Sequence, residues 1–256
     1  MKFRGYSAVA VVCLGLLVAD VIERFIVGPL AWLLPSCRTA ILHPWIQAMA
    51  WLGTRPIAVI GGAHMPFPPV VPFEPGVLIV MNHQSLFDIP ILIKSLRPGY
   101  PRILTRKRYA RWIPLISHLV RVYQFPIVNP EGTVSELRRS FRELKDAAQT
   151  STVPLAFFPE GTRTRDGEIG RFRTKGMAVI LGARPWKVYI MVVDGFWNVA
   201  RFKDFIGGVG ELRGRMELAG VMEWTDPEAD PRPFVKEMRE VMVQRLADMR
   251  AETSVA

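Results

Sequence analysis

After Lys2 and Arg4 the chain is apolar from Tyr6 to Ala19, meets Asp20, Glu23 and Arg24, and turns apolar again from Phe25 to Leu34. A membrane-spanning helix needs about 20 apolar residues, so the first run is too short to cross alone. Three architectures compete. A cleaved leader suits the basic start, but the residues after Ala19 do not form a small-residue cleavage site. A single span over both runs must accommodate three charged residues. These recur at i, i+3 and i+4, so they share a helical face and can pair there. A helix pair dipping into one leaflet would break near Gly28-Pro29.

The next segment carries Ile41, Leu42, Trp45, Ile46, Met49 and Leu52 at helical spacing, with Trp45 and Trp51 suited to the headgroup level. The plain alternative is a helix facing an ordinary core. Directly behind an apolar run, the stripe favours residues 1–60 as membrane-anchoring helices. Basic residues flanking the first run place the bulk of the protein on the cytoplasmic face of the inner (plasma) membrane. Residues 61–75 contain Pro66, Pro68, Pro69, Pro72 and Pro75, an extended proline-rich linker. Cys13 and Cys37 are the only cysteines, which excludes a disulfide framework.

Beyond the linker, residues 76–256 form one domain whose pattern becomes α/β. Val77–Asn82 is a continuous apolar run, as in a strand buried on both faces. Similar runs fall at 125–128, 153–158 and 188–193, with weaker ones at 102–105 and 215–218. Helical stretches lie between them: Val134, Leu137, Phe141 and Leu144 form a stripe opened by a Thr133/Glu136 capping box. A last amphipathic helix covers about 232–250. The alternation predicts a mixed, mainly parallel sheet flanked by helices. In such sheets ligands sit in the loops that leave the C-terminal ends of strands.

Two strand exits are polar. The first is Asn82-His83-Gln84-Ser85-Leu86-Phe87-Asp88. A histidine straight after a buried strand, with a carboxylate five residues on, can act as a base and its orienting partner. That geometry requires His83 in the loop and Asp88 in the first turn of the next helix, with Ser85 as N-cap. Equally, Asp88 can simply cap the helix. The second exit is Pro159-Glu160-Gly161-Thr162-Arg163. Gly161 permits close backbone approach, Thr162 offers a hydroxyl and Arg163 a planar fork for phosphate. Alone, this is common turn chemistry.

Taken together, the two blocks resemble the lysophospholipid acyltransferase family. Asn82 to Asp88 is similar to its His-x4-Asp block and Phe158 to Arg163 to its Phe-Pro-Glu-Gly-Thr-Arg block. Gly167 and Phe172 to Gly176 also follow the family's pattern. The resemblance implies transfer of a fatty acyl group from an acyl-CoA or acyl carrier protein thioester to a lysophospholipid hydroxyl, with the membrane bilayer as partner. His83 would be the general base and Asp88 its orienting carboxylate. Glu160, Gly161, Thr162 and Arg163 would hold the acceptor, Glu160 by positioning Arg163 or binding a hydroxyl. No cofactor or bound metal is implied, the thioester being a co-substrate. His43, His64 and His118 lack metal-ligand spacing.

Two blocks depart from that pattern. Asn129 stands at the approximate place of a phosphate-binding arginine, and 188–193 lacks the paired prolines. Arg106, Lys107 and Arg108 are nearby replacements for the missing charge, Lys107 being counted among the acceptor residues. The acceptor expected is 1-acylglycerol-3-phosphate, the alternative a lyso-lipid without glycerol phosphate. Excess charge sharpens this. The chain's net charge is +10; residues 97–111 carry +6 and 163–175 carry +3, so the surplus is expected beside the acceptor site. Charge alone would equally suit nucleic acid, but its position behind an apolar segment argues for anionic lipid and no nucleic-acid partner. A lipid-binding protein without catalysis is the remaining alternative.

Overall fold

The computed structural model describes residues 2–199 and 208–255. Helix α1 (Lys2–Ile22) passes through a π-helical turn, Glu23–Val27, straight into α2 (Gly28–Leu33). The break at Gly28-Pro29 that a helix pair dipping into one leaflet would need is absent. Gly28 N–H reaches back to the Glu23 carbonyl, an i to i−5 bond that widens the helix just where a proline ring would otherwise strike the preceding turn. The chain turns instead at Leu34, with φ −118° and ψ 68°, and returns as α3 (Arg38–Val59). Among the described residues, 3–33 form one helix long and apolar enough to cross a membrane.

The α3 stripe corrects a second expectation. Leu42, Ile46, Ala50 and Ile57 are buried in the cluster that covers one face of the sheet. Trp45 Nε1 donates to Glu23 Oε2 at 2.8 Å instead of facing lipid. Apolar surface is presented by α1 and α2: Phe3, Leu14, Phe25 and Trp32 are each at least 65% exposed. Asp20 and Arg24 pair at 2.8 Å as the spacing allows, whereas Glu23 turns inward to Trp45 and to His118 Nδ1 at 2.7 Å.

After an extended proline-rich strap, β1 (Val77–Met81) enters the centre of a five-stranded sheet. The remaining elements are α4 (Asp88–Lys94), β2 (Arg102–Ile103), β3 (Thr105–Arg106), α5 (Ile116–Val122), β4 (Ile127–Val128) and α6 (Val134–Thr150). They continue with β5 (Leu155–Phe157), α7 (Thr174–Leu181), β6 (Trp186–Asp194), β7 (Arg215–Trp224) and α8 (Pro231–Val255). The order is β2-β5-β1-β6-β7, with β3 and β4 forming a separate pair. Only β7 runs antiparallel to its neighbour in that sheet, which bears out the mixed, mainly parallel reading. β1 alternates perfectly: Val77, Ile79 and Met81 face α3 and α4, while Leu78 and Val80 face the cluster built on α6, α7 and α8. The capping box on α6 is present as expected.

Candidate active site

β1 and β5 are adjacent and parallel, with Val80 opposite Phe157. Their loops therefore leave the sheet side by side, and two segments 77 residues apart in sequence meet at one backbone. His83 N–H donates to Glu160 Oε1 at 3.0 Å, and His83 carbonyl accepts from Thr164 N–H at 2.8 Å. The imidazole stacks on Phe158, ring centres 4.3 Å apart.

Asp88 is wholly buried and does more than cap. Its Oδ2 accepts from Gln84 N–H at 2.6 Å and Ser85 N–H at 2.8 Å, and lies 2.7 Å from His83 Nδ1. Because the carboxylate reaches back to these amides, helix α4 starts at Asp88 itself, and Ser85 is not its N-cap. Ser85 Oγ serves inside the turn, accepting from Phe87 N–H at 3.0 Å. A carboxylate accepts only, so Nδ1 carries the proton toward it. That leaves Nε2 with its lone pair as the nitrogen for a substrate.

Glu160, expected to contact the acceptor, has both carboxylate oxygens committed to backbone: Oε1 to His83 N–H and Oε2 to Gly170 N–H at 3.0 Å. The chain folds over it, leaving it 5% exposed. Burial pushes its carboxyl above the ordinary value, against the pull of those two amides. Here it fixes the backbone of His83. Gly161 has φ +64°, and a Cβ there would lie 2.8 Å from Arg173 Cδ. Thr162 is exposed at the tip, with Arg163 partly exposed beside it.

Lys107 does not turn to this loop. Its Nζ pairs with Glu136 Oε1 at 3.1 Å, at the start of α6. Arg106 reaches the loop in its place, donating from Nη2 to the Gly161 carbonyl, with Nη1 3.2 Å from Glu131. The two differ because Arg106 ends strand β3 while Lys107 opens the following 3-10 turn. Strand β3 sets Arg106 opposite Val128, the residue before Asn129. Arg173 completes the group, with Nε 3.2 Å from the Glu160 carbonyl. Burial, with Arg108 and Arg173 near, pulls the Arg106 guanidinium below its ordinary value, as crowded cations do.

Three positioning residues were not recognised in sequence. Asn82 bonds both backbone groups of Val193, at 2.9 and 2.8 Å. Gln84 donates to Asp194 at 3.0 Å and accepts from Phe196 N–H at 3.0 Å. Arg250, on α8, ties Asp194 at 2.9 Å to Glu168 at 2.6 Å and the Gly167 carbonyl at 2.9 Å. Polar Asn82 and Gln84 flanking the histidine at the end of an apolar strand were the visible signal; Arg250, far down the chain, had none. Among the described residues no three His, Cys, Asp or Glu side chains are placed to hold a metal ion.

A carboxylate-oriented histidine at the C-terminal edge of a mainly parallel sheet, beside a cationic loop, makes this the candidate active site of an α/β protein. The chain belongs to the acyltransferase family, whose model matches residues 64–193. It is 33% identical over 103 residues to the chloroplastic 1-acyl-sn-glycerol-3-phosphate acyltransferase LPAT1 of Arabidopsis thaliana, covering 39% of this chain and 27% of that one. To the 1-acyl-sn-glycerol-3-phosphate acyltransferase of Helicobacter pylori it is 31% identical over 125 residues, 47% of this chain and 50% of that one. It thus spans half or less of these relatives' length. Its fold matches the crystal structure of the 1-acyl-sn-glycerophosphate (LPA) acyltransferase PlsC from Thermotoga maritima with TM-score 0.64 and 15% identity. That likeness covers 93% of this chain and 96% of the other.

Proposed function

We propose that the protein moves a fatty acyl group from an acyl-CoA or acyl carrier protein thioester to the free hydroxyl of a lysophospholipid, with 1-acylglycerol-3-phosphate as acceptor. The observation that carries this is the His83–Asp88 pair held beside the Arg106, Arg163 and Arg173 loop. His83 Nε2 takes the hydroxyl proton as the oxygen attacks the thioester carbonyl. The tetrahedral intermediate then expels the thiol sulfur, which receives that proton from the imidazolium. Asp88 holds the ring and stabilises its charge. Arg163, Arg106 and Arg173 surround the place for the acceptor's phosphate.

The exposed apolar side of α1 and α2 is read as the surface that seats the protein in the bilayer. Lys2 and Arg4 at its start support a catalytic body on the cytoplasmic face. The deciding experiment is acyl transfer by the purified full chain in neutral detergent, with either thioester. Lysophosphatidic acid is compared with phosphate-free lysolipids, and wild type with His83→Ala. Transfer to the phosphate acceptor that His83→Ala abolishes is expected. Wild-type rates from His83→Ala would refute the mechanism.

A further inference from the structure

Away from His83, three cations converge on one aromatic ring. Lys94 Nζ lies 4.2 Å from the centre of the Trp51 ring, and the guanidinium carbons of Arg55 and Arg97 lie 5.8 and 5.7 Å from the same centre. Trp51 and Arg55 lie in the second half of α3, Lys94 closes α4 and Arg97 follows in the loop after it. Lys94 is only 3% exposed. Among the described residues its one hydrogen bond is a long one, 3.4 Å to Thr54 Oγ1, which leaves most of an ammonium's three donors without a partner there.

Among the described residues no carboxylate forms an ion pair with Lys94, Arg55 or Arg97. Among the described residues the charged groups acting on Lys94 are Arg97 and Arg55, both repulsive; burial first and then these two pull its pKa below the ordinary value. A ring face attracts one cation by about 0.5–2 kcal/mol, too little to hold three. The C-terminal dipole of α4 offers roughly half a negative charge, already met by Arg97 Nε on the Lys94 carbonyl at 2.7 Å. The rim is open: Arg55 and Arg97 are exposed, and Phe67 of the proline-rich strap, 76% exposed, lies 6.0 Å from Lys94 Nζ.

The geometry points to a second anion site, distinct from the acceptor loop, in which Lys94, Arg55 and Arg97 bind a phosphate group with Trp51 and Phe67 as its apolar wall. Two sources supply that chemistry at this place: a soluble phosphate ester such as coenzyme A, or the headgroup of an anionic lipid. The site lies at the far end of the helix whose first residue is Asp88, about 9 Å along its axis. Its existence does not depend on the reaction proposed above.

Arg55→Gln/Arg97→Gln removes the two exposed cations and leaves the buried core intact. In neutral detergent, coenzyme A and inorganic pyrophosphate are titrated calorimetrically against wild type and variant. Flotation with phosphatidylglycerol or phosphatidylcholine vesicles forms the second arm. The variant is expected to lose at least tenfold in affinity in one arm, since a charge-assisted hydrogen bond is worth about one decade. Loss in the titration identifies a soluble ester; loss confined to phosphatidylglycerol vesicles identifies a headgroup. Lys94→Met gives an independent reading. It should raise the unfolding temperature by removing an uncompensated buried charge, and abolish the rise that pyrophosphate or phosphatidylglycerol gives wild type. Unchanged affinity in both arms, or a Lys94→Met protein less stable than wild type, overturns the site.

Discussion

Replacing Asp88 separates chemistry from architecture. In Asp88→Asn one amide oxygen can still accept from Gln84 N–H, Ser85 N–H and His83 Nδ1–H, so the turn keeps its bonds. What disappears is the negative charge beside the imidazolium formed in the transition state. Two charges about 4 Å apart at an effective dielectric of 20 attract by about 4 kcal/mol. Each 1.36 kcal/mol is a tenfold rate, so turnover should fall about 10²–10³-fold with KM nearly unchanged. Asp88→Ala instead strands three buried donors at about 1–3 kcal/mol each. The sum, about 3–9 kcal/mol, is a large share of a typical 5–15 kcal/mol stability. Acyl transfer at saturating acceptor and thermal unfolding of both variants test this together. Turnover of Asp88→Asn within threefold of wild type, or equal stability of the two variants, would refute the reasoning.

Other outcomes follow from the same contacts. Arg163→Ala and Arg106→Ala should each raise KM for a phosphate-bearing acceptor about tenfold and leave a phosphate-free one unaffected, measured by parallel kinetics. Gly161→Ala puts a Cβ at φ +64° against Arg173; it should cost about 1–2 kcal/mol in unfolding and weaken acceptor binding. At Asp194, burial raises the carboxyl pKa, but bonds from Arg250 and Gln84 outweigh it and hold the value below the ordinary 3.8. Its contribution to stability is therefore present above about pH 4 and lost as pH falls through the lowered value. Arg250→Ala should flatten that acid limb in melts between about pH 2 and 5. Serine at Leu14, Phe25 and Trp32 together should release the protein from sedimenting membranes, while the buried side of α1 keeps the fold.

Much of the fold was legible because local chemistry and global packing agree. The uniform apolarity of Val77–Met81 could only suit a strand covered on both faces, and Thr133 with Glu136 announced the start of α6. The α3 stripe misled for a physical reason. A helix facing a sheet and a helix facing lipid present the same apolar residues, and only the partner differs. At the site, His83 and Asp88 were readable because five residues fix their separation. The inward turn of Glu160 was not, since it depends on the parallel register of β1 and β5. Arg250 joins the site from α8, a tertiary contact that no local pattern encodes.

The charge surplus is where sequence and structure diverge most usefully. Residues 97–111 looked like a single basic patch serving the acceptor, yet their side chains part company. Arg106 bonds the Gly161 carbonyl, Lys107 pairs with Glu136, Arg102 Nη2 donates to Gln124 at 2.6 Å and Arg97 lies over Trp51. One stretch thus supplies a cation to the Glu160–Arg163 loop and another to the Trp51 cluster at the end of α4. Under the proposed function, a phosphate-bearing acceptor and a phosphate-bearing thioester would each have use for such a place. On this reading, neutralising Arg106 and neutralising Arg97 should have separable effects. The first changes KM for the acceptor, and the second changes binding of the other phosphate alone. Identical effects on both would return the basic stretch to a single diffuse field.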